Sequence, residues 1–162
     1  MDGVIENFNT EMTEDIAAQY AMLDAFIMGR TTFSSLAGYW PTKTTADEPL
    51  ADHMNSIEKL VCSTTIDASA GANSRVLVGD IRQTIGRLKR ESGKDYMIIG
   101  SGSIVRCLTE SGLIDEFRFL VFPIVLGSGK RIFDGVAERI PLRTQRTRSF
   151  NNGVMAIDYA TT

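Results

Sequence analysis

The sequence predicts an α/β protein with a mixed, mainly parallel central sheet, helices on both faces and a C-terminal antiparallel hairpin. Short apolar strands alternate with amphipathic helices until the last part of the chain, and this alternation is typical of a parallel sheet. The run at 96–99 is continuously apolar, as expected of a parallel strand that is buried on both faces. Asn151-Asn152-Gly153 separates the last two strands and is a hairpin signal.

The composition is that of an ordinary globular domain, because 43% of the 162 residues are hydrophobic and 23% are charged. This length favours one domain over residues 1–162. No apolar run is long enough to cross a bilayer and the N-terminus lacks the pattern of a secretory signal, so we expect a cytoplasmic protein without membrane contact. The net charge of -3 gives no overall attraction to nucleic acid, so we expect no such partner and a local site for any phosphate.

The reactive side chains exclude several classes of chemistry. Cys62 and Cys107 are far apart and each lies among apolar residues, which predicts two buried, reduced thiols. The single histidine, His53, lies in a polar stretch and is interpreted as a solvated loop residue. A Ser-His-Asp hydrolase and a histidine-based metal site therefore receive little support.

The elements of the first half follow from periodicity and from capping residues. Acidic residues after Thr13 suit the positive end of a helix dipole, and Gly29 ends an apolar run. The predicted elements are a helix from Thr13 to Met22 or Leu23, a strand over 25–28, a helix from Thr31 or Thr32 to just before Gly38, and a loop over 41–55.

The second half begins with two further strands. Asp80 is then a good N-cap for a helix with one apolar face. The predicted elements are strands over 57–62 and 74–78, a helix from Asp80 through Leu88 to near Gly93, a strand over 96–99, a helix through Leu108, and strands over 117–125, 142–150 and 154–159.

Three strand ends carry residues that suit a phosphate-containing ligand. In IIGSGSIV, residues 98–105, glycines at a helix start let an anion approach free backbone N–H groups, although a tight turn is an equally good interpretation. Arg30 follows Gly29 and offers a bidentate guanidinium, and Ser63-Thr64-Thr65 follows another strand. Each feature is commonplace alone, but ligands of open α/β sheets bind at the carboxyl ends of strands, where all three lie.

The segments IMGRTTFSSL, KLVCSTT and DYMIIGSGSIV resemble, in order and spacing, those of dihydrofolate reductase and its relatives. GLIDEFRFLVFPIVLGSGKRIF, residues 112–133, is similar to a stretch of the reductase domain of bacterial riboflavin biosynthesis and its stand-alone homologues. The resemblance implies a dihydrofolate reductase-like three-layer fold, NADPH as cofactor, hydride transfer to a small pyrimidine-like or pterin-like substrate, and a homodimer. The implied cofactor-binding residues are Gly29, Arg30, Thr31, Thr32, Ser63, Thr64, Gly100, Ser101, Gly102, Ser103 and Ile104.

The sequence departs from the family pattern at three places. Riboflavin-pathway reductase domains usually carry a lysine and a glutamate where this chain has Val4 and Ile99, so groups that grip a phosphoribosylamino-pyrimidine are missing. The family's first strand normally precedes the Asp-Gly pair, which here is Asp2-Gly3, so we expect a truncated chain or a sheet completed in another way. Asp15 and Asp24 lie in the region of the pterin-binding carboxylate of dihydrofolate reductase, but outside a matching motif.

The roles within the substrate site remain open at this point. Asp2 is the candidate catalytic residue near the reacting centre, and a turn role is equally compatible with its position. Tyr39 and Trp40 are candidate substrate-binding residues, although packing beside Pro41 would explain them as well. Dihydrofolate reductase activity and a non-catalytic, dimeric NADPH-binding protein are the alternatives. A third interpretation is an oligomerisation module that buries the strand over 117–125 between subunits.

Overall fold

The structure is a computed structural model that describes residues 8–66, 71–91, 93 and 95–162. Helices and strands alternate in these ranges up to the antiparallel strands at the end, except that two helices precede the second strand and two strands follow each other before the fourth helix. The helices are α1 (Thr10–Tyr20), α2 (Arg30–Tyr39), α3 (Ala51–Ser56), α4 (Ile81–Leu88) and α5 (Gly102–Glu110). The strands are β1 (Leu23–Gly29), β2 (Glu58–Cys62), β3 (Ser74–Leu77), β4 (Asp95–Ile98), β5 (Glu116–Val121), β6 (Leu142–Ser149) and β7 (Met155–Thr161).

Four strands form a parallel sheet in the order β3-β2-β1-β4. The central strand β1 has four consecutive buried residues, 25–28, so both of its faces are covered. The run at 96–99, which was predicted to be buried in this way, is only partly buried, because β4 is the edge strand of this sheet. Because side chains alternate along a strand, Ala25 and Ile27 pack with α4 and α5, whereas Phe26 and Met28 pack with α2 and α3. The helices therefore cover both faces of this sheet.

The last three strands form an antiparallel sheet in the order β5-β7-β6. The predicted turn between β6 and β7 is confirmed, with the N–H of Phe150 donating to the carbonyl of Val154 over 2.8 Å. Gly153 in this turn has a φ of 83°, a conformation that a glycine adopts without strain. Met12 of α1 packs against this sheet beside Val154 and Ala156.

The α/β class is confirmed, but the described strands form two sheets instead of one mixed sheet. Among the described residues, no strand of one sheet pairs with a strand of the other. Helix α1 joins the two sheets, since its Tyr20 ring packs edge-on against Phe26 of β1 at 4.8 Å and its Asp15 binds Arg118 of β5. The side chains of α1 thus connect the two sheets.

The prediction of a loop over 41–55 is wrong in its last part. Residues 40–42 form a 3₁₀ turn, and α3 follows with Ala51 and Met54 buried. Two apolar residues three positions apart cover one face of a single helical turn, which is too short to show a period in the sequence. His53 accordingly lies in this helix, half-buried, and not in a solvated loop.

Other boundaries shift for local reasons. Helix α1 begins at Thr10 because the Asn9 side chain accepts the N–H of Met12 and caps the helix earlier than predicted. Helix α2 continues through Gly38 to Tyr39. The strand predicted over 117–125 ends at Val121, shortly before Pro123, which has no N–H for a further ladder bond.

Candidate functional site

The carboxyl ends of β1 and β4 meet at the point where the chain reverses its direction across the parallel sheet. From β1 the chain proceeds to β2 and β3 on one side, and it then crosses back to place β4 on the other side. Such a switch point opens a crevice at the carboxyl ends of its two strands, and this crevice is the usual ligand site of open α/β sheets. Gly29 and Gly100 lie at this edge, at the end of β1 and just beyond β4.

Two helices begin at this crevice. The N-cap residues are Gly29 for α2 and Ser101 for α5, and neither caps its helix with a side-chain hydrogen bond. The N-terminal N–H groups and the positive ends of two helix dipoles are therefore available at one place. Arg30, the first residue of α2, is exposed beside them. The arrangement favours an anionic ligand with more than one phosphate group.

A hollow of about 480 Å³ extends from Arg30 along the carboxyl edge of the sheet. It brings Arg30 together with Ser63 and Thr64, two of the residues predicted after β2. The Ser63 hydroxyl accepts the N–H groups of Thr65 and Ile66, at 3.1 and 3.2 Å, which orders this turn. Two of the three predicted loops therefore line one space.

Thr65 of the predicted Ser63-Thr64-Thr65 segment also lines the hollow, together with five residues that were not predicted from the sequence. These five are Cys62, Leu77, Gly79, Ile81 and Thr84. Several of them belong to the turn from β3 into α4, which also lies at the carboxyl edge. The rule that was applied to the ends of the other strands would have found this turn, but its Asp80 was interpreted only as the N-cap of a helix. Leu77 and Ile81 give the hollow an apolar wall, which suits the flat ring of a base.

Cys62 lies in the hollow as an unreactive thiol. Burial raises the pKa of Cys62 to about 11, so the thiolate that would act as a nucleophile is scarce near neutral pH. Cys62 and Cys107 are free thiols, as predicted, but both are half-buried and not fully buried as the sequence suggested. Within the described ranges, no group of three or more His, Cys, Asp or Glu side chains is arranged to hold a metal ion.

The third predicted loop, Gly100–Ser103, contacts the first one directly. The N–H of Gly29 donates to Ser101 Oγ over 2.6 Å, and Thr32 Oγ1 lies 3.2 Å from the same oxygen. Ile104 is buried in the core, and its N–H donates to the carbonyl of Ser101 over 2.8 Å. Ile104 therefore stabilises the turn and is not exposed to a ligand. Ser103 is exposed at the helix start.

The remaining predicted site residues lie elsewhere. Tyr39 is the last residue of α2 and Trp40 comes directly after it. Both lie roughly 15 Å from Arg30 along the helix axis. The Tyr39 hydroxyl donates to Glu48 Oε1 over 2.7 Å, and Trp40 packs against the core near Phe33. The structure therefore does not bring these two aromatic residues to the hollow. Asp2 and Val4 lie outside the described residues.

Comparison with known proteins identifies the family. The RibD C-terminal domain family matches residues 3–156. The chain belongs to the RibD C-terminal domain family. The chain is also 32% identical over 169 residues to the uncharacterized protein YyaP of Bacillus subtilis (strain 168), and the match covers 98% of this chain and 89% of YyaP.

Solved structures show the same fold at lower identity. A protein from Shewanella sp. PV-4, provisionally described as a riboflavin biosynthesis protein, has a TM-score of 0.72 and 20% identity and matches 96% of this chain and 81% of its own. A pyrimidine reductase-like protein from Corynebacterium diphtheriae has a TM-score of 0.65 and 13% identity, with 100% of this chain and 86% of its own covered. The RibD C-terminal domain fold is thus established for this chain.

Proposed function

We propose that the protein is an NADPH-dependent reductase that reduces a C=N or C=O bond of a small heterocyclic or carbonyl compound, as a relative of the pyrimidine reductases of riboflavin biosynthesis. The observation that carries this proposal is the arrangement at the carboxyl edge of the sheet. Arg30 and the hydroxyls after β2 line one hollow, and the Gly100–Ser103 turn is bonded to Gly29, the residue before Arg30. Membership of the RibD C-terminal domain family supports the reductase class.

The donor set of the crevice fits a phosphorylated dinucleotide. Arg30, Ser63 and Thr64 would hold the 2′-phosphate, because a guanidinium and two hydroxyls provide charge-assisted and neutral hydrogen bonds to one phosphate. Gly100–Ser103 and the start of α5 would hold the pyrophosphate. The residues that line the hollow include Arg30 and no acidic residue, and the nearby Asp80 carboxylate accepts the N–H groups at the start of α4.

When bound, NADPH supplies a hydride, and the residues of this chain contribute binding and orientation. The apolar wall of Leu77 and Ile81 excludes water from one side of the hollow. The protonated Cys62 thiol adds an uncharged lining and no competing nucleophile. The proposal places the protein in the cytoplasm, where both cysteines stay reduced.

The test is a titration of the chain with NADPH and with NADH, followed by nicotinamide fluorescence, for the wild type and Arg30→Ala. Loss of one charge-assisted phosphate contact is expected to weaken NADPH binding by about 1.5–3 kcal/mol and to leave NADH binding nearly unchanged. Arg143→Ala, which removes an exposed arginine of β6, is the matched control. If Arg30→Ala weakened the binding of NADPH and NADH equally, the assignment of Arg30 to the 2′-phosphate would be contradicted. If the wild type bound neither nucleotide, the assignment of NADPH as cofactor would be contradicted.

A non-catalytic NADPH-binding protein is the second candidate, and Ile99 favours it. The family's glutamate is replaced by this apolar residue, which packs against the core near Met28 and whose N–H donates to the carbonyl of Ile27. A polar grip on a phosphoribosylamino-pyrimidine is therefore absent at this position. NADPH binding without oxidation in the presence of any pyrimidine or pterin would support this candidate over the reductase.

Asp15 argues against dihydrofolate reductase activity. A carboxylate that recognises a pterin must be free to accept from the ring, whereas Asp15 already binds Arg118 and Arg148. We expect methotrexate not to bind, and a tight complex with methotrexate would restore the dihydrofolate reductase alternative.

A further inference from the structure

Ser101 has an unusual backbone for a residue with a side chain. Its φ of 59° and ψ of 60° are left-handed, which costs energy for any residue other than glycine. The hydroxyl makes no capping bond to α5, whose N-cap position Ser101 occupies. Neither the backbone preference nor the capping preference of serine therefore explains its presence here.

The hydroxyl of Ser101 instead bonds to the other turn of the crevice. Ser101 Oγ accepts the N–H of Gly29 over 2.6 Å and lies 3.2 Å from Thr32 Oγ1. The partners are separated by about 70 residues in the chain and belong to the β1–α2 turn, whereas Ser101 belongs to the β4–α5 turn. One oxygen thus connects the starts of two helices.

The neighbouring glycines leave room for this connection. A Cβ at Gly29 would stand 3.0 Å from Ser101 Oγ, and a Cβ at Gly100 would stand 2.8 Å from Thr32 Oγ1. Gly29 has a φ of -87°, which any residue adopts, so lack of space and not backbone conformation requires glycine at this position. The hydroxyl and the glycine are therefore matched to each other.

We propose that Ser101 is a positioning residue that joins the β1–α2 and β4–α5 turns and holds them in the arrangement that binds the cofactor. This inference rests on the proposed function, because both turns are the proposed cofactor-binding turns. Ser101 Oγ is hydrogen-bonded to Gly29 and Thr32, so Ser101 acts on the cofactor through these two residues. The cofactor then binds to turns that are already ordered. Ordering before binding lowers the entropy cost of association and strengthens the complex.

The first experiment compares Ser101→Ala with Ser111→Ala, which removes a hydroxyl that bonds to a backbone carbonyl at the opposite end of α5. We expect Ser101→Ala to weaken NADPH binding by about five- to tenfold, as loss of one internal hydrogen bond predicts, and to speed amide hydrogen exchange of Gly29 in the cofactor-free protein. Ser111→Ala is expected to change neither quantity.

The combinations of these two readouts separate the possible outcomes. Faster Gly29 exchange with unchanged NADPH affinity would overturn the positioning role and leave a structural bond. Weaker affinity with unchanged Gly29 exchange would overturn the connection and indicate direct contact of Ser101 with NADPH. If the wild type bound no NADPH, the proposed function would fail and with it the cofactor role of Ser101, whereas the exchange data would still report the bond.

The second experiment is a double-mutant cycle of Gly29→Ala and Ser101→Gly. Gly29→Ala alone crowds the hydroxyl, so we expect it to weaken NADPH binding and to lower the urea midpoint of unfolding. In the Ser101→Gly background the hydroxyl is absent. We therefore expect Gly29→Ala to cause a much smaller loss of NADPH affinity and a much smaller decrease in the urea midpoint there. Equal costs in both backgrounds would show that the two residues are independent and would overturn the proposal.

Discussion

Asp15 has 6% of its side chain exposed and connects α1 to the antiparallel sheet. Burial raises the pKa of its carboxyl, but hydrogen bonds and charge from Arg118, with further help from Arg148 and Arg146, outweigh burial and hold the pKa below its ordinary value. The carboxylate of Asp15 is therefore stabilised in the folded state relative to the unfolded chain. Removal of the Asp15 charge leaves Arg118 and Arg146 with Asp158 as their acidic partner, and Arg148 with Glu11.

We predict that Asp15→Asn lowers the free energy of unfolding by about 3 kcal/mol at pH 7, because it breaks a buried ion pair from one side. A depressed carboxyl pKa contributes stability above the unfolded pKa, and this contribution is lost as the pH falls through the lower folded pKa. The difference between wild type and variant should therefore shrink as the pH drops below about 4. Urea unfolding of both proteins over a pH series measures this difference in the free energy of unfolding.

Glu14→Gln is the matched control, since Glu14 is an exposed acidic neighbour on the same helix. We expect it to change the stability by less than about 0.5 kcal/mol at every pH. A pH-independent loss in Asp15→Asn would mean that packing of the amide, and not the charge of Asp15, causes the destabilisation.

At the scale of single elements, α4 shows how local sequence and tertiary packing agree. The Asp80 side chain accepts the N–H groups of Arg82 and Gln83, at 2.8 and 3.2 Å, which confirms the predicted N-cap. Ile85 and Leu88 of the same helix are buried against the parallel sheet. The helix thus has a start that is set by one residue and an orientation that is set by its apolar face.

Asp80→Ala is predicted to lower the free energy of unfolding by about 1 kcal/mol, because two N–H groups of the first turn lose their acceptor. Asp80→Ser keeps an acceptor at the same position and should recover most of this loss. Chemical denaturation of the three proteins tests the prediction. An equal loss for both substitutions would show that the carboxylate charge at the positive end of the helix, and not the cap bond, supplies the stability.

At the scale of the whole molecule, a group of exposed apolar side chains follows β5. Val121, Ile124, Val125 and Leu126 are 44–95% exposed, and Met155, which pairs with Val121 in register, is 39% exposed. We name these five residues the β5 surface. Its exposed parts amount to roughly 500 Å² of mostly apolar area, which approaches the contribution of about 800 Å² per partner in a standard interface.

We propose that the β5 surface joins two copies of the chain in a homodimer. In a two-fold dimer the same surface of each copy contacts the other, and this is the commonest arrangement of homo-oligomers. This location differs from the expectation that the whole run over 117–125 is buried between subunits, because Phe117 is buried within its own chain.

Light scattering after size-exclusion chromatography tests this dimer. We expect the wild type to elute as a dimer and Val125→Asp/Leu126→Asp to elute as a folded monomer, since two charges would be buried without partners in the interface. Val78→Asp is the control, because Val78 is 77% exposed and lies outside the β5 surface. A monomeric wild type would contradict the proposal, as would a dimer that persists in the double variant.

The sequence by itself determined the order of the elements, the hairpin, the N-cap of α4 and the three strand ends that carry Arg30, Ser63 and Gly100, since these depend on neighbours along the chain. The short helix α3 was not predictable, because one turn has no period. Nor could local sequence show the division into two sheets, the removal of Tyr39 from the crevice or the bond from Gly29 to Ser101. These features join residues that are distant in the chain, and only the packing of helices against strands decides which distant residues meet.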